Sequence, residues 1–251
     1  MDGIVAQFSL LQIALVAGAA LFASVIGGVA GYGTGLLLPL VLVPLVGPEP
    51  VVPIMAIAAF LINASRVAAF RVAIDWRRAG IVLATAVPAC VLGAWFYTLL
   101  SAAGTQLIIG AFLIVSVPLR RFLKSRELHL NDAGLAIGGA GFGAITGTAP
   151  GTGVILISML MASGLAGSAV IATDAAISVI AHLVQALVFG VAGVIDAKVV
   201  LIALLIGVCS VPGAFLARRI VDRLPVRLHA AVLDGVILIG GVAMVANALA
   251  R

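Results

Sequence analysis

Of the 251 residues, 64% are hydrophobic and 9% charged, where an ordinary soluble domain carries roughly 25% charged residues. A mean hydropathy of +1.33 fits a surface that faces lipid, where charge is costly and apolar atoms have no reason to hide. The net charge of +5 and pI near 10.0 would suggest nucleic acid in a soluble chain, but here the basic residues sit in short loops between apolar stretches, which excludes that partner.

Spans of about 20 apolar residues are the unit of a membrane helix, fewer where a helix is broken or re-entrant. Ten segments are predicted in chain order: residues 8–29, 32–46, 50–70, 77–99, 104–122, 132–148, 151–163, 167–191, 197–217 and 229–250. The second and seventh are short, begin in glycine-rich sequence and are expected not to cross fully. The start, Met1-Asp2-Gly3, lacks the basic region of a signal peptide, so the first helix is expected to be retained. Twelve of the 14 Lys and Arg residues fall in or beside three loops, around Arg66–Arg78, Arg120–Arg126 and Arg218–Arg227, leaving out Lys198 and Arg251. If the segments cross as counted, these loops share one face, cytoplasmic by the positive-inside tendency, and both termini lie outside. The expected location is the cytoplasmic (inner) membrane.

The chain repeats itself after about 120 residues. Gly33-Thr34-Gly35 returns as Gly151-Thr152-Gly153, Ile74-Asp75 as Ile195-Asp196, and Gly93-Ala94 as Gly213-Ala214. Five segments per repeat is an odd number, so the second copy must be inverted. The charges agree: the loop around Asp75 carries Arg71, Arg77 and Arg78, while that around Asp196 carries only Lys198. The expected fold is therefore an all-α polytopic membrane protein of about ten transmembrane or half-membrane helices in two inverted five-segment repeats. Residues 1–122 form the first repeat, 123–131 a basic linker and 132–251 the second.

Three features could carry chemistry. In Gly31-Tyr32-Gly33-Thr34-Gly35, glycine lets the backbone bend, and free N–H groups at the next helix start favour an anion. Close helix packing explains one such stretch equally well. The counterpart Gly147-Thr148-Ala149-Pro150-Gly151-Thr152-Gly153 shifts the balance towards binding, since matching broken segments mark a midplane site. In the eighth segment Asp174, Ser178, His182 and Gln185 share one helix face bordered by Thr173, and an ionisable residue inside a membrane helix is functional by default. Asp174 and His182 are the candidates for proton coupling. In the third segment Asn63 and Arg66 face the same way, and Arg66 either snorkels to headgroups, attracts an anion at the inner vestibule or pairs with Asp174. Asp234 and Asn247 are expected at the interface, and Cys90 and Cys209 as small hydrophobes.

The paired glycine motifs, Ile74-Asp75-Trp76-Arg77 and Gly93-Ala94-Trp95-Phe96 together resemble the TauE/SafE family of sulfite exporters, from about Gly27 to Gly241. The family's first motif maps onto Gly31, Gly33, Gly35 and Pro39, with Thr34 where glycine is usual, and Asp174 stands where the family often has serine. The resemblance implies transport of a small sulfur-containing anion such as sulfite, thiosulfate or a sulfonate.

The reading is a secondary permease, proton-linked and working by alternating access. Tyr32, Gly33, Thr34, Gly35, Asn63, Arg66, Thr148, Gly151, Thr152, Gly153 and Thr173 are its substrate-binding candidates. No cofactor or metal is expected, and the partners are the anion, the bilayer and, left open, a second copy. The rivals are a non-transporting membrane subunit and an intramembrane enzyme. For the latter the chain offers no H-E-x-x-H and no paired catalytic aspartates, and for ATP-driven transport no Walker sequence.

Overall fold

The computed structural model describes residues 10–30, 33–125, 129–220 and 226–250. Among these, regular structure is entirely helical: α1 (Leu10–Ala30), α2 (Gly33–Val46), α3 (Val51–Phe70), α4 (Trp76–Thr98), α5 (Ala102–Ser125), α6 (Asp132–Thr148), α7 (Gly153–Ala162), α8 (Ser168–Val191), α9 (Ala197–Ile220) and α10 (Val226–Leu249), with a single 3₁₀ turn at Arg71–Ala73. Each predicted segment coincides with one helix to within about three residues, the usual uncertainty of a helix end. Four stretches, Val51–Ala68, Trp76–Thr98, Ala102–Leu119 and Ser168–Val191, are long and apolar enough to span a bilayer, which makes this a polytopic membrane protein.

Capping sets several boundaries. The Asp75 carboxylate accepts from the Arg78 backbone N–H (2.9 Å) at the start of α4, and Asp196 accepts from the Val199 N–H (2.7 Å) at the start of α9. Asn131 does the same for α6 through the Gly134 N–H (2.9 Å). At the break between α6 and α7, Ala149 is extended (φ −142°, ψ 144°), as a residue before proline tends to be, and Gly151 takes φ +93°.

The helices pack in pairs: α4 on α6, α1 on α9, α3 on α8 and α5 on α10, with α4 also touching α8 and α9 touching α3. Small residues let the first of these close. On α6, Gly139, Gly143 and Gly147 recur every fourth residue and lie against the backbone of Val82, Ala86, Cys90 and Ala94 on α4. Gly110 and Gly241 perform the same service between α5 and α10.

Polar contacts assign the loops to faces. The Leu130 N–H donates to the Ala162 carbonyl (2.8 Å), so the start of α6 and the end of α7 lie on one face, and the pair enters and returns. The 10 residues of α7 rise only about 15 Å, half of a hydrocarbon core. Arg77 pairs with Asp132, and Arg78 bridges Asp75 (2.6 Å) and the Ser163 carbonyl (2.8 Å), which brings the α3–α4 loop, the linker and the α7–α8 loop together. The Arg78 N–H and guanidinium hold the Asp75 carboxyl below the usual carboxylate range, against a desolvation cost that works the other way. Arg121 pairs with Asp234 (2.9 Å) between α5 and α10. Asp234 is 4% exposed, sheltered by α5 and paired with that arginine, while Asn247 is exposed. At the opposite end, the Tyr97 hydroxyl at the close of α4 donates to the Glu49 carbonyl (3.0 Å) in the α2–α3 turn.

Candidate functional site

The two Gly-Thr-Gly stretches meet in the interior. A Cβ on Gly35 would fall 2.5 Å from the Gly151 Cα, and one on Gly151 would fall 2.5 Å from a Leu36 methyl, so the backbones touch where no side chain fits. The contact puts the first turns of α2 and α7 side by side. Beside them opens a cavity of about 80 Å³, room for several waters or one small ion. Its other walls are α3, through Val52, Met55, Ala56, Ala59, Ile62, Asn63 and Arg66, and α8, through Asp174, Ser178, His182 and Gln185.

A buried hydrogen-bond chain shapes the wall. The Thr152 hydroxyl bonds that of Thr146 (2.8 Å) rather than capping α7, so the first N–H groups of α7 have no side-chain cap. Gln185 Nε2 donates to the Thr146 carbonyl (2.6 Å), which turns Gln185 Oε1 towards His182 Nδ1 (3.1 Å). With an acceptor facing it, Nδ1 carries a proton and donates to Gln185. Cys90 is buried beside this layer, its Sγ 3.6 Å from the Ala181 carbonyl. The uncapped start of α7 and the Arg66 guanidinium make parts of the cavity electropositive. Among the described residues, Asp174 supplies the one carboxylate in the lining. Among the described residues no cluster of three His, Cys, Asp or Glu side chains could hold a metal ion.

The structure brings Thr34, Gly35, Asn63, Arg66, Gly151, Thr152, Gly153, Asp174 and His182 to this one cavity. Two candidates lie elsewhere. The Thr173 hydroxyl accepts from the Asp75 N–H (3.0 Å) and so ties α8 to the α3–α4 loop. Thr148 returns its hydroxyl to the Ile145 carbonyl (3.1 Å) within its own helix. Gly33 is the first residue of α2, and Tyr32 lies outside the described residues. Sequence reasoning missed Thr146, the support for both Thr152 and Gln185, and the small face of α3 formed by Ala56 and Ala59. The spacing of Ala56, Ala59, Asn63 and Arg66 at three and four residues was the available signal.

One comparison bears on identity: the chain matches the family described as Sulfite exporter TauE/SafE over residues 16–244. The protein belongs to the TauE/SafE family. No curated protein and no solved structure matches it significantly. Family membership and the apolar spans agree on a multi-pass membrane transporter, and the cavity lies within the part of the TauE/SafE protein that the match covers.

Proposed function

We propose that this TauE/SafE protein is a secondary permease for a small sulfur-containing or organic anion such as sulfite, thiosulfate or a sulfonate, linked to protons through Asp174. The observation that carries the reading is the meeting of two broken helices: the uncapped start of α7 and the start of α2 open on one cavity with Arg66. Oriented N–H groups and a guanidinium complement negative charge. Asp174 is 3% exposed and shares that cavity, so an anion entering beside it is favoured when the carboxyl carries a proton. His182, held by its bond to Gln185, is the candidate to pass that proton on.

The packing supports two inverted repeats, 1–122 and 132–251, joined by the 123–131 linker. Exchanging α1–α5 with α6–α10 turns the α4–α6 contact into α9–α1 and α4–α8 into α9–α3, and returns α3–α8 and α5–α10 to themselves. Asp75 and Asp196 cap equivalent helices under the same exchange. Rocking of parts of the two repeats about the Gly35–Gly151 contact would expose the cavity to alternate sides. The basic face is the cytoplasmic one, in the inner membrane, with both termini outside.

The test is counterflow of labelled sulfite or thiosulfate in proteoliposomes across a pH gradient. Saturable uptake that responds to the gradient in the wild type, and loses that response in Asp174→Asn, is the expected result. Uptake of none of the sulfur or carboxylate anions sinks the anion reading, and a gradient response that survives in Asp174→Asn removes that residue from coupling.

A further inference from the structure

The cavity is not uniformly suited to an anion. Asn63 Oδ1 and Asp174 Oδ1 are both fully shielded and have no hydrogen-bond partner, on residues 8% and 3% exposed. Both residues line the cavity, from facing helices α3 and α8. Asn63 cannot turn its amide to present a donor without breaking the bond from Nδ2 to the Ala59 carbonyl (2.9 Å). Buried polar atoms are nearly always satisfied, so two orphan acceptors in one cavity call for an occupant that donates or carries positive charge. Arg66 satisfies neither oxygen: it lines the same cavity and its charge acts on Asp174, yet among the described residues it makes no ion pair with Asp174 and no hydrogen bond to Asn63 Oδ1. A proton on Asp174 would relieve that side chain but not Asn63, whose amide oxygen is not protonated at any physiological pH.

Resting on the anion-permease reading above, we propose that Asn63 and Asp174 form a subsite for a monovalent cationic group bound together with the anion. That group is either the ammonium of a zwitterionic substrate or a free alkali cation. Both present the same chemistry to two oxygen acceptors, and both would offset the Asp174 charge while the anionic part of the ligand meets Arg66 and the helix starts.

The test measures ligand-induced thermal stabilisation of the full-length purified protein in N-methylglucamine buffer without alkali cations. The probes are 2-aminoethanesulfonate, its ammonium-free analogue ethanesulfonate, and sulfite, each repeated with sodium or potassium. Preference for 2-aminoethanesulfonate over ethanesulfonate without alkali cations assigns the ammonium. Binding of sulfite or ethanesulfonate only when an alkali cation is added assigns the free cation. In either case Asn63→Leu should weaken the cation-dependent component about tenfold to a hundredfold, the usual loss for a hydrogen bond to charge. Asn63→Thr, which keeps an oxygen acceptor, should recover part of it and guards against a folding defect. Anion binding indifferent to the ammonium and to alkali cations, and unchanged in Asn63→Leu, overturns the subsite while leaving the permease reading intact. Binding of no probe under any cation condition removes the permease reading itself, and this inference with it.

Discussion

Gly35 and Gly151 are the residues on which the site depends most directly: Gly35 lies against backbone alone, with no flexible side chain to give way, and Gly151 lies against the Leu36 side chain and holds a positive φ. Gly35→Ala would drive a methyl to 2.5 Å from the Gly151 Cα, and Gly151→Ala would add strain at φ +93°. We expect each to lower stability by about 1–3 kcal/mol, the range for overpacking, and to abolish transport by parting the two helix starts. Gly141→Ala is the matched control: it sits on the exposed side of α6 with nothing within 4 Å, and should be neutral or slightly stabilising. Thermal unfolding in detergent beside uptake in proteoliposomes checks all three. A Gly35→Ala protein with wild-type stability and uptake would show that the two tips do not need to touch. The repeat of Gly-Thr-Gly made these glycines legible in the sequence, because two copies of a bent stretch argue for a shared site more than for packing. What the sequence could not show is which hydroxyls are free. Thr148, Thr152 and Thr173 look equivalent to Thr34 by composition, and only their neighbours in the fold, Ile145, Thr146 and Asp75, reveal that their hydroxyls are already engaged.

At the scale of elements, the helix starts distinguish the two faces. Asp75 and Asp196 both cap, but Asp75 also holds Arg78, which in turn holds the Ser163 carbonyl at the end of the α6–α7 pair. Asp196→Ala should therefore cost about 1 kcal/mol, a cap alone, and Asp75→Ala more than that, because it frees the loop-to-loop tie as well. The pH dependence has a definite sign. The Asp75 carboxyl is depressed in the folded protein, so its contribution is complete above the ordinary carboxylate value and is lost as pH falls through the folded one. The stability gap between wild type and Asp75→Ala should hold at neutral pH and close in strong acid, as followed by the unfolding midpoint against pH. A gap independent of pH would mean that the backbone, not the charge, makes the contribution. Element identity was readable because apolar length is a strong signal in lipid, and the shortness of the second and seventh segments set them apart from the long ones. The pairing of elements was not readable. Gly139, Gly143 and Gly147 form a small-residue stripe in plain sequence, yet which helix fills it is decided by the fold, and the answer, α4, precedes it in the chain.

Across the whole molecule, the ion pairs and carbonyl contacts gather the α3–α4 loop, the start of α6 and the α7–α8 loop at one end, and the Tyr97–Glu49 contact marks the other. If α4, α5 and α8 each cross and α6 and α7 return as a pair, the α3–α4 loop and the α8–α9 loop face opposite compartments. Val72, 94% exposed in the first loop, and Val194, 38% exposed in the second, are suited to report this as single cysteines. The background should carry Cys209→Ala, since Cys209 is only half-buried, whereas Cys90 is sealed and can stay or be replaced. A membrane-impermeant maleimide added to intact cells should modify Val194→Cys and spare Val72→Cys until the membrane is opened if, as proposed, Arg71, Arg77 and Arg78 keep their loop inside. The reverse pattern would keep the fold and invert its orientation, making the charge bias of these loops a poor guide here. Labelling of both positions from one side would be more serious. It would mean that an odd number of crossings does not separate the loops, and the argument from five segments per repeat to an inverted pair would fail with it.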